Sequence, residues 1–156
     1  MTDTSIFIAG DWGTTNLRLS LCDASMVLDR RDGPGIAELR ASPESTLFEL
    51  IEPWVRARGQ IPVVFAGIGG SRNGWREAPY APCPADTAAL QHSILRFVAR
   101  GHEIAIVPGV SCTNPRGAPD VMRGEETQII GAIARDPQLA SGRHVIALPG
   151  THTSGH

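Results

Sequence analysis

The feature that most constrains this chain is a polar stretch, residues 11–16, set between two apolar runs near the amino terminus. Residues 6–9 are continuously apolar, and residues 17–21 alternate apolar and polar, so the pattern predicts a strand, a tight turn and a second strand. An ordinary hairpin turn needs only Gly13 and Asn16. The carboxylate of Asp11 and the hydroxyls of Thr14 and Thr15 indicate a function, because such turns hold phosphate oxygens and a carboxylate at a strand end holds magnesium.

The composition favours one folded domain. With 156 residues and 42% hydrophobic content, the chain is long enough to bury a stable core. No apolar run approaches the length of a membrane span, and the first five residues do not resemble a signal peptide. The widely spaced Cys22, Cys83 and Cys112 are typical of reduced thiols rather than of a disulfide framework or a zinc site. We therefore expect a cytoplasmic protein that does not bind a membrane.

The distribution of charge argues against nucleic-acid binding. The net charge is −2, and the basic residues, all of which are arginines, are scattered along the chain. A nucleic-acid interface needs a basic patch or stripe, which this sequence lacks. The absence of lysine also means that no ammonium group is available as a point charge for phosphate.

Hydrophobic patterning predicts three meandering strands, at about residues 5–10, 16–22 and 26–31, with residues 32–35 ending the third. Ser42 and Pro43 then begin a first helix, which Pro53 is expected to kink. Asp86 caps a second helix that ends at Gly101. The apolar positions assigned to its buried face are Leu90, Ile94, Phe97 and Val98.

A third helix is expected over Glu125–Arg135, with Ile129, Ile130 and Ile133 buried. Three short apolar runs, at residues 61–66, 104–107 and 144–148, predict buried strands. Meandering strands followed by alternating helices and strands imply a mixed sheet with helices on its faces. Loops that leave the carboxyl ends of parallel strands form the ligand crevice of such sheets, so the loops after Phe65, Val107 and Leu148 are candidates.

Residues 67–80 form a long loop after the first of these crevice strands, residues 61–66. Its glycines permit close approach of a ligand to the backbone, Arg72 offers a bidentate fork for a carboxylate, and Trp75 offers an apolar surface. The alternative is a surface loop that is pinned by one buried tryptophan. The length of the loop favours a function.

Acidic residues gather at the start of the third helix, in residues 120–127. Helix capping and the macrodipole explain one or two of them, but neither Arg123 nor the whole cluster. A carboxylate beside a substrate hydroxyl acts as a general base, which makes this segment a candidate catalytic element. A second Gly-Thr turn, Gly150 and Thr151, follows the last apolar run, with an unstructured tail as the alternative.

Together these segments resemble the 2-keto-3-deoxygalactonokinase family, within the actin, hexokinase and Hsp70 superfamily of ATP-dependent phosphotransferases. The stretches Gly-Ser-Arg-Asn-Gly-Trp at 70–75 and Asp-Val-Met-Arg-Gly-Glu-Glu-Thr at 120–127 are its most specific matches. The matching segments are residues 11–16, 67–75, 77–80, 82–84, 107–109, 120–127 and 148–152.

The resemblance implies an RNase H-like fold and a carbohydrate kinase that uses ATP and magnesium. The reaction would transfer the γ-phosphate to the C6 hydroxyl of 2-keto-3-deoxy-D-galactonate, in D-galactonate catabolism. The residues assigned to ATP are Asp11, Gly13, Thr14, Thr15, Asn16, Gly150 and Thr151, with Asp11 also at the metal. Asp120 is assigned as the base, with Glu125 as its rival. The residues assigned to the sugar acid are Gly70, Ser71, Arg72, Trp75 and Arg123, of which the two arginines are candidates for the carboxylate.

Two departures from the family pattern modify this expectation. The family usually continues Gly-Thr-His with Ser-Lys-Trp, whereas this chain continues with Thr153, Ser154 and Gly155. Family members are also considerably longer, with a second domain that closes over the nucleotide. We therefore expect residues 1–143 to be the first kinase domain and residues 144–156 to begin a truncated second one, with impaired activity.

Two other functions stay open from sequence. The first alternative is a non-catalytic fragment that binds sugar acid or phosphate weakly, or that pairs with another chain, with dimerisation driven by an exposed domain interface. The less favoured alternative is an RNase H-like nuclease that uses Asp11, Asp120 and Glu125 around two metals.

Overall fold

The computed structural model describes residues 5–24 and 26–148, together with the backbone of Ser154 and Gly155. The longer strands are β1 (Phe7–Trp12), β2 (Asn16–Cys22), β3 (Val27–Pro34), β4 (Val63–Gly67), β6 (Leu95–Ala99) and β7 (His102–Ile106). The short strands are β5 (Ala81–Pro82), β8 (Val110–Thr113), β9 (Pro119–Met122), β10 (Ala147–Leu148) and β11 (Ser154–Gly155). The α-helices are α1 (Pro43–Arg58), α2 (Thr87–His92) and α3 (Glu125–Arg135), and the 3-10 helices are Ile36–Glu38, Ile68–Gly70 and Pro137–Ala140.

A six-stranded mixed sheet forms the centre of the molecule, in the order β3-β2-β1-β4-β7-β6. Strands β1, β4 and β7 are parallel, while β2, β3 and β6 run antiparallel to their neighbours. The predicted meander and mixed sheet are confirmed. The predicted end of the third strand is wrong, because β3 continues through Gly33 to Pro34. Proline is tolerated there because β3 is an edge strand.

The hydrophobic core lies between this sheet and α1. Every second residue of β1 is buried, including Ile8 and Trp12, as expected for a strand with one face on the core. Leu47 and Ile51 of α1 are fully buried in the same cluster. The predicted cap is confirmed, since the Ser42 side chain accepts a hydrogen bond from the Ser45 N–H at 3.1 Å.

The predicted second helix is largely wrong. Helix α2 begins after Asp86 as expected but ends at His92, and Leu95–Ala99 is strand β6. Arg100 and Gly101 both have positive φ, 48° and 80°, and turn the chain directly into β7. Side chains in β6 alternate, with Phe97 half-buried and Val98 67% exposed. The helical spacing of the apolar residues was therefore coincidental, and the turn residues determined a hairpin.

Helix α3 has the predicted bounds, but its predicted buried stripe is wrong. Ile129, Ile130 and Ile133 are only half-buried, and the buried residue of this helix is Glu126. The hairpin of β8 and β9, which precedes α3, was not predicted; with β5 it forms a second sheet, in the order β5-β8-β9.

The third apolar run does not join the central sheet. Residues 147 and 148 form β10, which pairs antiparallel with β11 in a separate two-stranded sheet. The expectation of a further buried strand over residues 144–148 is therefore wrong. Within the described parts of the chain, no helix is long and apolar enough to cross a membrane.

The packing of Gly10 gives a test of this core. A Cβ on Gly10 would lie 2.5 Å from two ring carbons of Phe65, so Gly10→Ala is expected to destabilise the fold by about 1–3 kcal/mol. The matched control is Gly131→Ala on α3, where an added Cβ meets nothing within 4 Å. That change is expected to stabilise by about 0.5–1 kcal/mol, since alanine favours helix. Urea unfolding of both variants measures the difference, and equal effects at the two positions would contradict the packing described here.

Candidate functional site

A cavity of about 290 Å³ opens at the carboxyl ends of β1 and β4. It brings together the polar turn after β1, the start of the long loop after β4, and the amino terminus of α3. The residues that line it are Asp11, Gly13, Thr14, Thr15, Asn16, Arg18, Gly67, Ile68, Arg123, Gly124, Glu125, Gln128 and Leu148. The crevice predicted at the ends of parallel strands therefore contains three of the four segments singled out in the sequence.

The polar turn is held in place by backbone hydrogen bonds. The Gly13 N–H donates to the Asn16 carbonyl at 2.8 Å, and the N–H groups of Ile36 and Ala37 donate to the carbonyls of Gly13 and Thr14, both at 3.0 Å. The side chains of Thr14 and Thr15 remain exposed at the cavity. This turn is therefore pinned from behind by the 3-10 helix at Ile36–Glu38, and its hydroxyls face a space that a ligand can enter.

Two glycines allow the backbone segments of the cavity to approach each other. Gly67 and Gly124 have φ values of 92° and 110°, which L side chains rarely adopt. A Cβ on Gly67 would lie 2.6 Å from the Trp12 carbonyl oxygen and 3.0 Å from Oδ1 of Asp11. A Cβ on Gly124 would lie 3.1 Å from the Cα of Gly67. Both positions therefore require glycine to bring the end of β4 against Asp11 and against the start of α3.

Asp11 carries the most perturbed carboxylate of the cavity. It is half-buried, and desolvation by burial raises its pKa above the usual 3.8. The nearby positive charge of Arg18 opposes this shift, and the negative charge of Glu125 adds to it. Asp11 and Glu125 both line the cavity, and two carboxylates facing one space are suited to a cation.

The two glutamates that begin α3 have different surroundings. Oε2 of Glu125 accepts a hydrogen bond from the Arg123 N–H at 3.1 Å, and the residue lines the cavity. Glu126 is only 5% exposed and accepts the Gly124 N–H at 2.6 Å. Burial raises its pKa. As the capping explanation predicts, both carboxylates accept backbone N–H groups just ahead of the helix, but only Glu125 also faces the cavity.

The guanidinium of Arg123 is enclosed by the long loop. Its Nη2 donates to the Ala78 carbonyl at 2.8 Å, and its central carbon lies 4.3 Å from the centre of the Tyr80 ring. Nε and Nη1 are buried and have no hydrogen-bond partner among the described residues. A buried cation with two unpaired donor nitrogens is costly, so this position is suited to an incoming acceptor oxygen.

Several residues assigned from sequence lie elsewhere. Asp120 is exposed on β9, opposite Cys112, and does not line the cavity. Arg72 is exposed on the loop surface. Trp75 packs against Phe65 and Phe97, with ring centroids 6.2 and 5.2 Å apart, as the pinned-loop alternative predicts. The remaining loop residues, Gly70 and Ser71, do not line the cavity either, and Gly150 and Thr151 lie outside the described residues.

Two residues of the cavity, Arg18 and Gln128, lie outside every segment singled out in the sequence. Arg18 lies directly opposite Asp11 in the register of β1 and β2, and Gln128 is one helical turn after Glu125. The alternation of β2 and the three-residue spacing on α3 are signals from which both could have been found.

Comparison with known proteins identifies the family. Residues 11–154 match the family model described as 2-keto-3-deoxy-galactonokinase. The chain belongs to this family. It is 34% identical over 155 residues to a probable 2-dehydro-3-deoxygalactonokinase of Rhizobium meliloti, and 38% identical over 151 residues to the 2-dehydro-3-deoxygalactonokinase of Escherichia coli.

The alignments cover nearly all of this chain but only part of its relatives. They include 98% and 96% of the chain, against 49% and 48% of the two relatives, so the chain spans about half their length. A crystal structure from Sinorhizobium meliloti, of a protein assigned as a 2-dehydro-3-deoxygalactonokinase, superposes with a TM-score of 0.76 at 33% identity. It matches 94% of this chain and 47% of that one. The expected family and the RNase H-like fold are thereby confirmed.

The buried carboxylate of Glu126 predicts a pH-dependent stability. Its raised pKa means that the folded chain binds a proton more tightly than the unfolded chain, so stability falls as the pH rises above the usual value of 4.5. Glu126→Gln is expected to remove this fall and to stabilise the chain at pH 7, because the neutral amide avoids the cost of burying a charge. The Thr127 hydroxyl, 3.4 Å from Oε1 of Glu126, offers the new amide a partner.

Urea unfolding at several pH values between 4 and 7 measures this effect. The matched control is Glu103→Gln, at an exposed position on β7, for which the pH dependence of the parent chain is expected to persist. If the stability of the parent chain rose with pH across this range, and Glu126→Gln removed that rise, the argument from burial would be wrong.

Proposed function

We propose that this chain provides the phosphate-binding and base-bearing half of an ATP-dependent kinase for 2-keto-3-deoxy-D-galactonate, acting at the C6 hydroxyl in D-galactonate catabolism. The observation that carries the proposal is the shared cavity of Asp11, the turn of Thr14 and Thr15, and Glu125. Phosphoryl transfer depends on positioning and on neutralising charge, and this cavity offers N–H groups, hydroxyls and carboxylates on rigid elements.

The phosphates of ATP are assigned to the turn at residues 13–16, where the exposed side chains of Thr14 and Thr15 line the cavity. Asp11 would hold Mg²⁺, directly or through water, which leaves the Glu125 carboxylate free of the metal. The described residues contain no cluster of three or more metal-ligating side chains. This donor set fits magnesium, which is usually bound by one or two carboxylates, with waters and substrate phosphates completing the octahedron. When bound, the ion neutralises the charge of the phosphates.

Glu125 is the better candidate for the general base. It lies in the cavity, whereas Asp120 is exposed on β9. A base must come within hydrogen-bond reach of the proton that it takes, so position decides between the two carboxylates. Arg123 is the better candidate for the carboxylate of the sugar acid, because its unpaired Nε and Nη1 need acceptors. Tyr80, which is 41% exposed, covers this guanidinium and would have to shift to admit the substrate.

The relatives of this chain are about twice as long, and we propose that the additional half of such a protein closes the cavity. On this proposal residues 144–156 begin a second domain, and Gly150 and Thr151 form its phosphate turn. Because the chain spans about half the length of its relatives, we expect ATP and sugar acid to bind weakly and turnover to be low. Three expectations from the sequence stay predictions. They are the location in the cytoplasm, the absence of nucleic-acid and membrane partners, and the pairing of copies through an exposed face.

Asp11→Asn is expected to abolish magnesium-dependent ATP binding and, at the same time, to stabilise the fold slightly at pH 7. Burial raises the Asp11 pKa, so the ionised carboxylate opposes folding above its usual pKa, and the neutral amide removes that cost. Calorimetry with ATP, in the presence and absence of magnesium, and urea unfolding measure the two effects. The exposed Asp32→Asn on β3 is the control, with binding and stability near those of the parent chain. Unchanged ATP binding in Asp11→Asn would refute the assignment.

Glu125→Gln is expected to lower phosphoryl transfer to the sugar acid by about 10²-fold or more, because general-base catalysis contributes at least that much. Transfer of labelled phosphate is measured at high protein concentration, and the isolated chain is expected to give little turnover. Asp120→Asn should leave the rate unchanged; the reverse order of effects would make Asp120 the base. Robust turnover by the isolated chain would show that the part of the relatives' length that this chain does not span is dispensable. Sugar-acid binding without any response to Mg-ATP would favour the non-catalytic alternative.

A further inference from the structure

Cys83 and Cys112 stand opposite each other where β5 meets β8. These strands pair in parallel, with Ala81 opposite Val110. The Ala81 N–H donates to the Gly109 carbonyl at 2.8 Å, and the Cys83 N–H donates to the Ser111 carbonyl at 2.8 Å. The second hydrogen bond repeats the first, two residues further along both strands. In a parallel ladder this repeat places Cys83 opposite Cys112, although the regular strand β5 ends at Pro82.

The spacing of the two residues suits a disulfide. Neighbouring strands lie about 4.8 Å apart, and disulfides join Cα atoms that are about 4.4–6.8 Å apart. Residues opposite each other in register point to the same face of a sheet, so the two side chains share a face. Both cysteines are exposed and carry free thiols, whereas Cys22 on β2 is buried. Partial burial, and to a lesser degree the neighbouring Cys112, raises the pKa of the Cys83 thiol, which is consistent with the register.

We propose that Cys83 and Cys112 are a redox-sensitive pair that forms a reversible intramolecular disulfide when it meets a small-molecule disulfide such as oxidised glutathione. The thiolate of one cysteine attacks the oxidant, forms a mixed disulfide and releases one small thiol. The thiolate of the other cysteine then attacks the protein sulfur of that mixed disulfide and releases the second small thiol. The protein loses two electrons and two protons, and one oxidant molecule becomes two thiols.

This bond would fasten together two segments that border the cavity. Strand β5 follows the long loop that contains Ala78 and Tyr80, which contact Arg123. Strand β8 begins the hairpin that leads through β9 to Arg123 and Glu125. The oxidised form would therefore hold the loop over the Arg123 guanidinium more rigidly. The proposal concerns thiol chemistry alone and stands or falls independently of the kinase proposal.

The test is equilibration of the chain with mixtures of oxidised and reduced glutathione, followed by acid quenching, alkylation of free thiols and non-reducing peptide mapping by mass spectrometry. We expect a Cys83–Cys112 crosslink with Cys22 alkylated, and a rise in Tm that a reductant reverses. The same equilibration in denaturing urea measures disulfide formation in the unfolded chain, where no strand register holds the two cysteines opposite each other. The equilibrium constant for closing the bond is expected to be about tenfold or more higher in the folded chain.

Three variants separate the pair from chance oxidation. Cys22→Ser should form the crosslink as the parent chain does. Cys83→Ser and Cys112→Ser should each carry glutathione on the remaining exposed cysteine, with no intramolecular bond and no reversible rise in Tm. If the parent chain carries glutathione on both cysteines without the crosslink, or closes the bond no better when folded than in urea, the proposal is wrong.

Discussion

The close approach of three backbone segments at Gly67 is the constraint on which the rest of the site depends. An added Cβ there would lie 2.6 Å from the Trp12 carbonyl and 3.0 Å from the Asp11 carboxylate, and Gly124 packs onto the same residue from the start of α3. The end of β1, the end of β4 and the amino terminus of α3 can meet only because neither glycine carries a side chain. Trp12 and Phe65, with rings 5.3 Å apart, hold the two strands from the core side.

Packing in the core stabilises the fold, whereas the electrostatics of this junction oppose its stability. The core between the sheet and α1 is apolar and fully buried at Ile8, Leu47 and Ile51, so it stabilises the fold without regard to function. The junction places Asp11 and Glu125 near each other and raises the pKa of Asp11. It also leaves two donor nitrogens of Arg123, Nε and Nη1, buried and unpaired. Such unfavourable groups are typical of binding sites, where a ligand supplies the missing charges and acceptors.

Local patterns predicted those elements whose residues interact mainly with their chain neighbours. The meander, the Ser42 cap and the bounds of α3 follow from alternation, capping chemistry and helical spacing. Leu95–Ala99 was assigned to a helix because its apolar residues also fit a period of 3.6. Pairing with β7 through the turn at Arg100 and Gly101 determined a strand instead, and a short apolar run cannot reveal that pairing. The two-residue strand β5 and the hairpin of β8 and β9 were missed for the same reason.

The sequence by itself determined the family, the polar turn at residues 11–16 and the acidic start of α3, because motif identity and spacing are properties of the chain alone. Only the tertiary structure decided which of these residues meet. It placed Glu125 in the cavity with Asp11 and left Asp120 on the outer strand, and it packed the half-buried Trp75 against Phe65 and Phe97. Residues far apart in the chain come together through sheet register and close backbone packing, which depend on the whole fold.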